Sequence, residues 1–475
     1  MFDLDLIYLL DNINIISEKK DKNKDKDIMK LNEKSISNFL NEENKEYSLY
    51  VLKKRAIPSL IDGLKTTQRK ILDTAQELWN TNNSFKKVFQ LAGIVADKKE
   101  YHHSNTSLED TIIGMGQYFK NNLVLLDTEG QWGFLRIPEA GAARYISCKL
   151  NTELYNKIFK DYDLTIEQYV DGNKVEPKYL LPIIPMVLIN GSQGIAVGFA
   201  SKIFNREPKR IIEACIKYLN KESFNDSFKP YIKDFNGKLE RDKNNILKWN
   251  FYGIFEKINS TTIKIKEYTP FKTYEKIIDH LNSLEDKIII SYENNSTKTL
   301  DITVKFKKED LQNYTDEDIS KILGLDSSET ENLTLLDEND NIKIFNNIKD
   351  IIIYFVDFRL KLYKIRKENI IKKLNKDYDI NYNKFQFIDL IIKQKIIINK
   401  KSKEDIIKQI EKHKLLKIDD NYNYLLNMPL YSLTKEKLEE LHSKIKNIEK
   451  EIKYIKNISE KDMYLNDLNE LLKNI

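Results

Sequence analysis

The chain has 475 residues, 32% charged and 41% hydrophobic, which supplies several apolar cores and excludes both a wholly disordered chain and a disulfide mini-protein. At about 150 residues per domain it holds roughly three domains. Lys+Arg 78 against Asp+Glu 73 leaves a net charge of only +5, so any basic surface for a partner must be local.

In chain order, the opening Leu-Ile-Tyr-Leu-Leu run has Asp3, Asp5 and Asp11 around it, which is wrong for a signal peptide. A mixed-charge Lys/Asp stretch after Ser17 has no apolar anchor, so residues 1–45 read as a solvated extension. The first domain, 46–165, is helical with turns. Thr66 to Trp79 forms a helix with Ile71, Leu72, Ala75, Leu78 and Trp79 facing inward. Thr106 with Glu109 makes a capping box and opens a helix whose apolar face is Leu108, Ile112, Met115 and Phe119. Two short helices with a loop between them are compatible with a helix-turn-helix, a pattern that is common by itself.

The middle domain, 166–350, is α+β. Its longest apolar stretch, Leu180 to Ile189, is broken by Pro182 and Pro185 and is too short to span a bilayer. Phe251 to Phe255, Thr261 to Ile265 and Leu300 to Phe306 are β-branched or aromatic and partly alternating, and read as strands. No glycine follows Gly324, and the only later proline is Pro429, so 351–475 should be mostly helical. One long helix, about Ile351 to Ile398, carries Phe355, Phe358, Leu362 and Ile365. A second carries Leu438, Leu441, Ile445, Ile448, Ile452 and Ile455 at heptad spacing, with Thr434 as its N-cap. The two should pair antiparallel, with 403–432 as a small helical knob.

Much chemistry is absent. There is no Gly-rich phosphate loop of the nucleotide-binding kinds, and no Cys or His cluster with metal-ligand spacing. The two cysteines, Cys148 and Cys215, are far apart and fit a reducing cytoplasm. Unusual residues concentrate between 55 and 145: Arg55, Lys65 and Arg69 around a turn with Pro58 and Gly63; the pair His102-His103; and Arg144-Tyr145 after a run of small residues. Each alone reads most simply as surface or packing.

Together they resemble something known. Arg55-Ala-Ile-Pro-Ser-Leu-Ile-Asp-Gly-Leu-Lys-Thr-Thr-Gln-Arg69 resembles the opening motif of type IIA DNA topoisomerase cleavage domains. Tyr101-His-His, Asp110 to Gln117, Gly130-Gln-Trp-Gly133 and Ala142-Ala-Arg-Tyr145 are similar to the next motifs. Leu181 to Gly198 is similar to the most recognisable stretch, and Met428 to Lys437 to the C-terminal gate of the eukaryotic branch. They occur in family order and cover about 46 to 470. The chain departs at Ser104 and Asn105, where the family usually has Gly, and at Thr66, where it usually has Pro.

The resemblance implies a mostly α, α+β multidomain fold: a winged-helix DNA-binding domain over 46–165, an α/β tower over 166–350, and a long antiparallel coiled coil over 351–475 with a helical C-gate. It is nearest to the separate medium subunits of T4-like phages. That implies cleavage and rejoining of double-stranded DNA by a homodimer, with a partner subunit supplying ATPase and an acidic (TOPRIM) domain that holds Mg²⁺. Tyrosine hydroxyls, with an ordinary pKa near 10, are poor nucleophiles but better leaving groups than a deoxyribose hydroxyl, so a phosphotyrosine stores the broken bond. The resemblance gives Tyr145 the nucleophile's role, and Arg144, His103 and Arg55 places at the scissile phosphate. Lys65, Arg69, His102 and Asn190 become DNA-binding residues, and Ile195 a wedge between base pairs, against a competing reading as buried core. The rival functions are a supercoiling subunit of the gyrase type and a non-catalytic architectural DNA-binding dimer.

Overall fold

A computed structural model describes residues 43–475 other than 82, 226–227, 298 and 419, and leaves the side chains of 43 and 430 undescribed. The solvated extension expected over 1–45 lies almost wholly outside the described residues. The chain divides into two units, Met1–Leu49 and Tyr50–Ile475. Of the first, the described part is the start of helix α1 (Glu43–Val51), with Tyr47 and Leu49 exposed.

The second unit is mixed α+β and mostly helical. A π-helical turn, Leu52–Ala56, leads to α2 (Thr66–Trp79), whose bounds match those read from the periodicity. Ile71, Leu72, Ala75 and Trp79 are buried on it, and each large apolar side chain so buried contributes about 1.5–3 kcal/mol. Strand β1 (Lys86–Lys87), α3 (Val88–Lys98), α4 (Asn105–Gly116), β2 (Leu126–Glu129) and β3 (Ser147–Leu150) follow. The strands form an antiparallel sheet in the order β1-β3-β2. The cap of α4 is Ser104, whose hydroxyl accepts from the Ser107 N–H, and not Thr106. Ser104 lies just before the helix with extended backbone, the geometry an N-cap needs.

Helix α5 (Thr152–Ile158), the short α6 (Met186–Asn190), the hairpin β4 (Ser192–Ala196)–β5 (Phe199–Ile203) and α7 (Pro208–Leu219) come next. The core does not break at 165. One cluster of buried residues runs from Leu60 through Leu180–Ile189 and α7 to Ile348–Tyr363 and Met463–Leu471. A separate core begins at Ile263 and ends at Leu325.

After β6 (Lys238–Arg241) and β7 (Lys248–Tyr252), that separate core is built on β8 (Ile254–Lys257), β9 (Thr262–Glu267), helix α8 (Tyr274–Leu284), β10 (Ile289–Asn294) and β11 (Ile302–Phe306), with the antiparallel order β8-β9-β11-β10. Ile302, Val304 and Phe306 are buried, as their alternation requires.

Helix α9 (Ile348–Ile392) runs antiparallel to α11 (Lys435–Asn457), with α10 (Lys403–Lys412) and the 423–432 turns at the far end; α12 (Glu460–Lys473) closes the chain. Lys367 bonds the Ile458 carbonyl, and farther out Phe385 lies against His442. Thr434 caps α11 as expected, and Leu441, Ile445 and Ile448 are buried. The expected α9 seam drifts: Ile365 is exposed, while the buried face carries Phe355, Arg359 and Tyr363. A straight helix turns in 3.6 residues and leaves a strict heptad line.

Arg359 bonds Asp161 at 2.5 Å, and Asp467 on α12 accepts from Tyr363, Lys160 and Arg366. Among the described residues no helix is long and apolar enough to cross a membrane.

Candidate active site

Tyr145 stands on a loop between β2 and β3 that is fixed at nearly every point except the tyrosine itself. Gly133, at φ +76, turns the chain where a Cβ would lie 2.7 Å from the Pro138 carbonyl. Gln117, buried at the end of α4, donates to the carbonyls of Trp132 (2.9 Å) and Pro138 (2.7 Å). Gly141 N–H donates to the Gln131 carbonyl at 2.8 Å. The first turn of α3 has N–H groups without intrahelical partners, and the loop supplies them. Val88 N–H donates to Ile146 O (3.1 Å), and Phe89 N–H to Ala143 O (3.3 Å). Lys87 Nζ donates to the Tyr145 carbonyl at 3.0 Å, and Tyr145 N–H closes a turn on Ala142.

Ile146 is buried as an anchor, while its neighbour Tyr145 is 71% exposed. Among the described residues neither the Tyr145 hydroxyl nor the exposed Arg144 guanidinium has a hydrogen-bond partner. A phenol hydroxyl and a cationic fork are thus held out to solvent on an anchored loop.

Arg55 and His103, 48 residues apart, come together: Arg55 Nη2 lies 3.2 Å from both ring nitrogens of His103. A guanidinium only donates, so His103 meets it as an acceptor. The Tyr50 hydroxyl is 3.4 Å from His103 Nε2, and Tyr101 packs edge-on against the ring. His102 is exposed and has no partner among the described residues. The hydrogen bonds that link Tyr50, Arg55 and His103 do not include Tyr145.

The hairpin β4–β5 docks against the same region. Gly194 passes so close to the π-turn that a Cβ would fall 1.9 Å from the Ala56 carbonyl oxygen. Lys65 Nζ donates to the Gln193 carbonyl at 2.6 Å, and burial lowers its pKa. One of the three N–H groups of its ammonium therefore holds the hairpin. Ile195 is 79% exposed near the tip, which overturns the reading of it as buried core.

Two of the expected DNA-binding residues face inward. Arg69 is buried and paired with Asp62, Nε to Oδ2 at 2.6 Å and Nη2 to Oδ1 at 3.1 Å. The pair shapes the 59–64 turn from within. Asn190 spends its amide on the backbone of Leu123, accepting from its N–H and donating to its carbonyl. Sequence reasoning also missed Gln117 and Lys87 as supports of the loop; Gln117 lies within one of the recognisable motifs, which was the available signal.

Among the described residues no group of three or more His, Cys, Asp or Glu is placed to hold a metal ion.

Residues 55–471 match the model of the family formed by the A subunits of DNA gyrase and topoisomerase IV. The chain is 34% identical to DNA topoisomerase 2 of Plasmodium falciparum, over 92% of its own length and 34% of that protein's, so it spans about a third of that relative. It is 29% identical to the DNA topoisomerase medium subunit of Enterobacteria phage T4, over 93% of its own length and 100% of that subunit's. The solved DNA-binding, cleavage and re-ligation domain of Plasmodium falciparum topoisomerase II superposes with a TM-score of 0.83 at 33% identity, covering 92% of this chain and 64% of that one. The chain belongs to the family of DNA gyrase and topoisomerase IV A subunits, the DNA-binding and cleavage part of type IIA topoisomerases.

Proposed function

We propose that this chain is the DNA cleavage and rejoining subunit of an ATP-dependent type II topoisomerase that relaxes and decatenates double-stranded DNA in the cytoplasm. The observation that carries the reading is the Tyr145 loop: hydroxyl and guanidinium exposed and unpartnered, with the backbone on both sides anchored. The Tyr145 oxygen forms a bond to a backbone phosphorus, and the bond from that phosphorus to the 3′ oxygen breaks. The tyrosine loses its proton and the 3′ oxygen gains one, so the nick ends in a 3′-hydroxyl and a 5′-phosphotyrosine. Resealing is the reverse and needs no outside energy, because the phosphotyrosine keeps the bond.

Arg144 lies next to the nucleophile and suits the phosphate oxygens, where charge builds in the transition state. Arg55 and His103 form a second polar cluster for the same phosphate, contributed within one copy or across a dimer. Ile195, on its docked hairpin, is the side chain available to wedge between base pairs, a distortion that costs a few kcal/mol per step. On this reading 46–165 acts as the winged-helix domain, 166–350 as the tower, and 351–475 as the coiled coil whose knob closes a second contact in a homodimer. The family uses Mg²⁺ and ATP. From the likeness to a separate medium subunit, we assign both to a partner subunit with an ATPase and an acidic TOPRIM domain.

The test is a detergent-stopped cleavage reaction with plasmid DNA, Mg²⁺ and such a partner. Linear DNA with protein on its 5′ ends, absent for Tyr145→Phe while DNA binding persists, is the expected result. Firm DNA binding without any adduct would return the architectural reading, and supercoils introduced into relaxed plasmid would mark a gyrase.

A further inference from the structure

The described residues contain one link between the tyrosine loop and the separate core of 263–325 that the mechanism leaves unused. Phe134 and Ile137 exchange backbone hydrogen bonds of 2.9 and 3.0 Å, which puts Leu135 and Arg136 at the tip of a tight turn. From that tip Arg136 enters the segment joining β9 to α8. Its Nη1 donates to the carbonyls of Thr269 (2.5 Å) and Lys272 (3.1 Å), and its Nη2 reaches the Tyr268 carbonyl and the Glu267 carboxylate. The Arg136 carbonyl accepts from the N–H of Tyr274, the first residue of α8, at 2.8 Å. The Arg136 and Glu267 side chains keep only 12% and 13% of their exposure. Phe271, in the same segment, packs against Phe204 and Phe251, with ring centres 5.8 and 4.9 Å away.

Three carbonyls and a carboxylate thus converge on one guanidinium, a set of acceptors that only a planar fork with five N–H groups can serve together. Arg136 is nine residues from Tyr145, and the loop between them is pinned by Gln117 and by the Gly141–Gln131 bond. A loop held this way moves as a body, so a shift at its tip tilts the tyrosine.

We infer that Arg136 is a positioning residue for Tyr145: it couples the seating of the 267–274 segment to the loop that presents the nucleophile, and it acts without touching DNA. The inference rests on the reading of Tyr145 given above. A misplacement of about 1 Å costs a reaction on the order of 100-fold, so a small tilt is enough to be measured.

The experiment compares the full chain with Arg136→Ala, Arg136→Lys and Glu267→Gln. Each is combined with Mg²⁺ plus the partner subunit, and the rate of adduct formation on an end-labelled duplex is followed across DNA concentration. For Arg136→Ala the rate at saturating DNA should fall about 10- to 100-fold, while the half-saturating concentration stays within about twofold. Arg136→Lys, which serves some of the acceptors, should recover part of the rate. A wild-type rate in Arg136→Ala would overturn the inference. So would a loss confined to the half-saturating concentration, which would make Arg136 a DNA contact. If Arg136→Ala does not fold, Glu267→Gln decides by the same split. A parent chain that makes no adduct removes the nucleophile reading and this inference with it. A parent whose adduct depends on Tyr145 but not on Arg136 removes this inference alone.

Discussion

Replacing Arg69 with Ala separates two roles that the amino-acid sequence leaves open. In the structure the Asp62 carboxylate is fully buried and takes four donors: Arg69 Nε at 2.6 Å, Arg69 Nη2 at 3.1 Å, and the N–H groups of Leu64 and Leu180 at 2.9 Å each. Burial alone would lower the guanidinium's pKa, but the neighbouring Asp62 carboxylate outweighs that and raises it, so Arg69 stays charged. Removing one partner of a buried ion pair costs about 3–5 kcal/mol, chiefly because the other charge is left uncompensated. Two backbone N–H bonds stay on Asp62, which puts the loss near the lower end, about 3 kcal/mol.

Denaturant unfolding should show that loss, and Asp62→Asn added to Arg69→Ala should recover part of it, since the stranded charge is then gone. The salt dependence of DNA binding should keep its slope. A phosphate contact would instead contribute about 0.9 to that slope. Native stability with a slope reduced by about one would refute the structural assignment and make Arg69 a DNA contact.

Gly194→Ala should push the hairpin away from the π-turn, because the new methyl meets the Ala56 carbonyl and both partners are backbone. A stability loss of about 1–3 kcal/mol, with adduct formation reduced more than DNA binding, is the expected outcome; unchanged melting and cleavage would reject it. Asp467 gives a pH signature. Burial raises its pKa, but Arg366, Lys160 and Tyr363 outweigh that and hold it below the ordinary carboxylate value. Its contribution is therefore present above about pH 4 and is lost as pH falls through the depressed folded value. Asp467→Asn should destabilise at neutral pH, and its deficit against the parent should shrink on acidification; a deficit independent of pH would contradict the assignment.

Local signals in the sequence carried far. The bounds of α2, the Thr434 cap and the inward alternation of Ile302, Val304 and Phe306 all follow from neighbours within a turn or a strand. The exposed Arg144-Tyr145 pair was legible only as part of an ordered set of motifs, since one Tyr among 26 has no local mark. What escaped depends on distant partners. Asn190 bonds the backbone of Leu123, and Arg136 bonds carbonyls more than 130 positions away. Main-chain acceptors have no residue-type signature, so no spacing rule could have found them. Arg69 escaped because a basic residue beside a turn looks solvated until the fold shows the Asp62 carboxylate inside that turn.

The coiled coil is rooted at one end only. Arg359 with Asp161 and Asp467 with Arg366 tie α9 and α12 into the large core, followed by Lys367 to Glu460 and, farther out along α9, Lys373 to Asp163. Beyond Lys373 α9 continues to Ile392, about 28 Å at 1.5 Å per residue. The knob at the far end has its own core around Phe387, Ile410 and Leu425, so it travels as one body. Mechanically this is a cantilever with a stiff tip. Each degree of rotation at the root carries the knob roughly 0.5 Å, and ten degrees carry it about 5 Å, with every hydrogen bond along the arm intact.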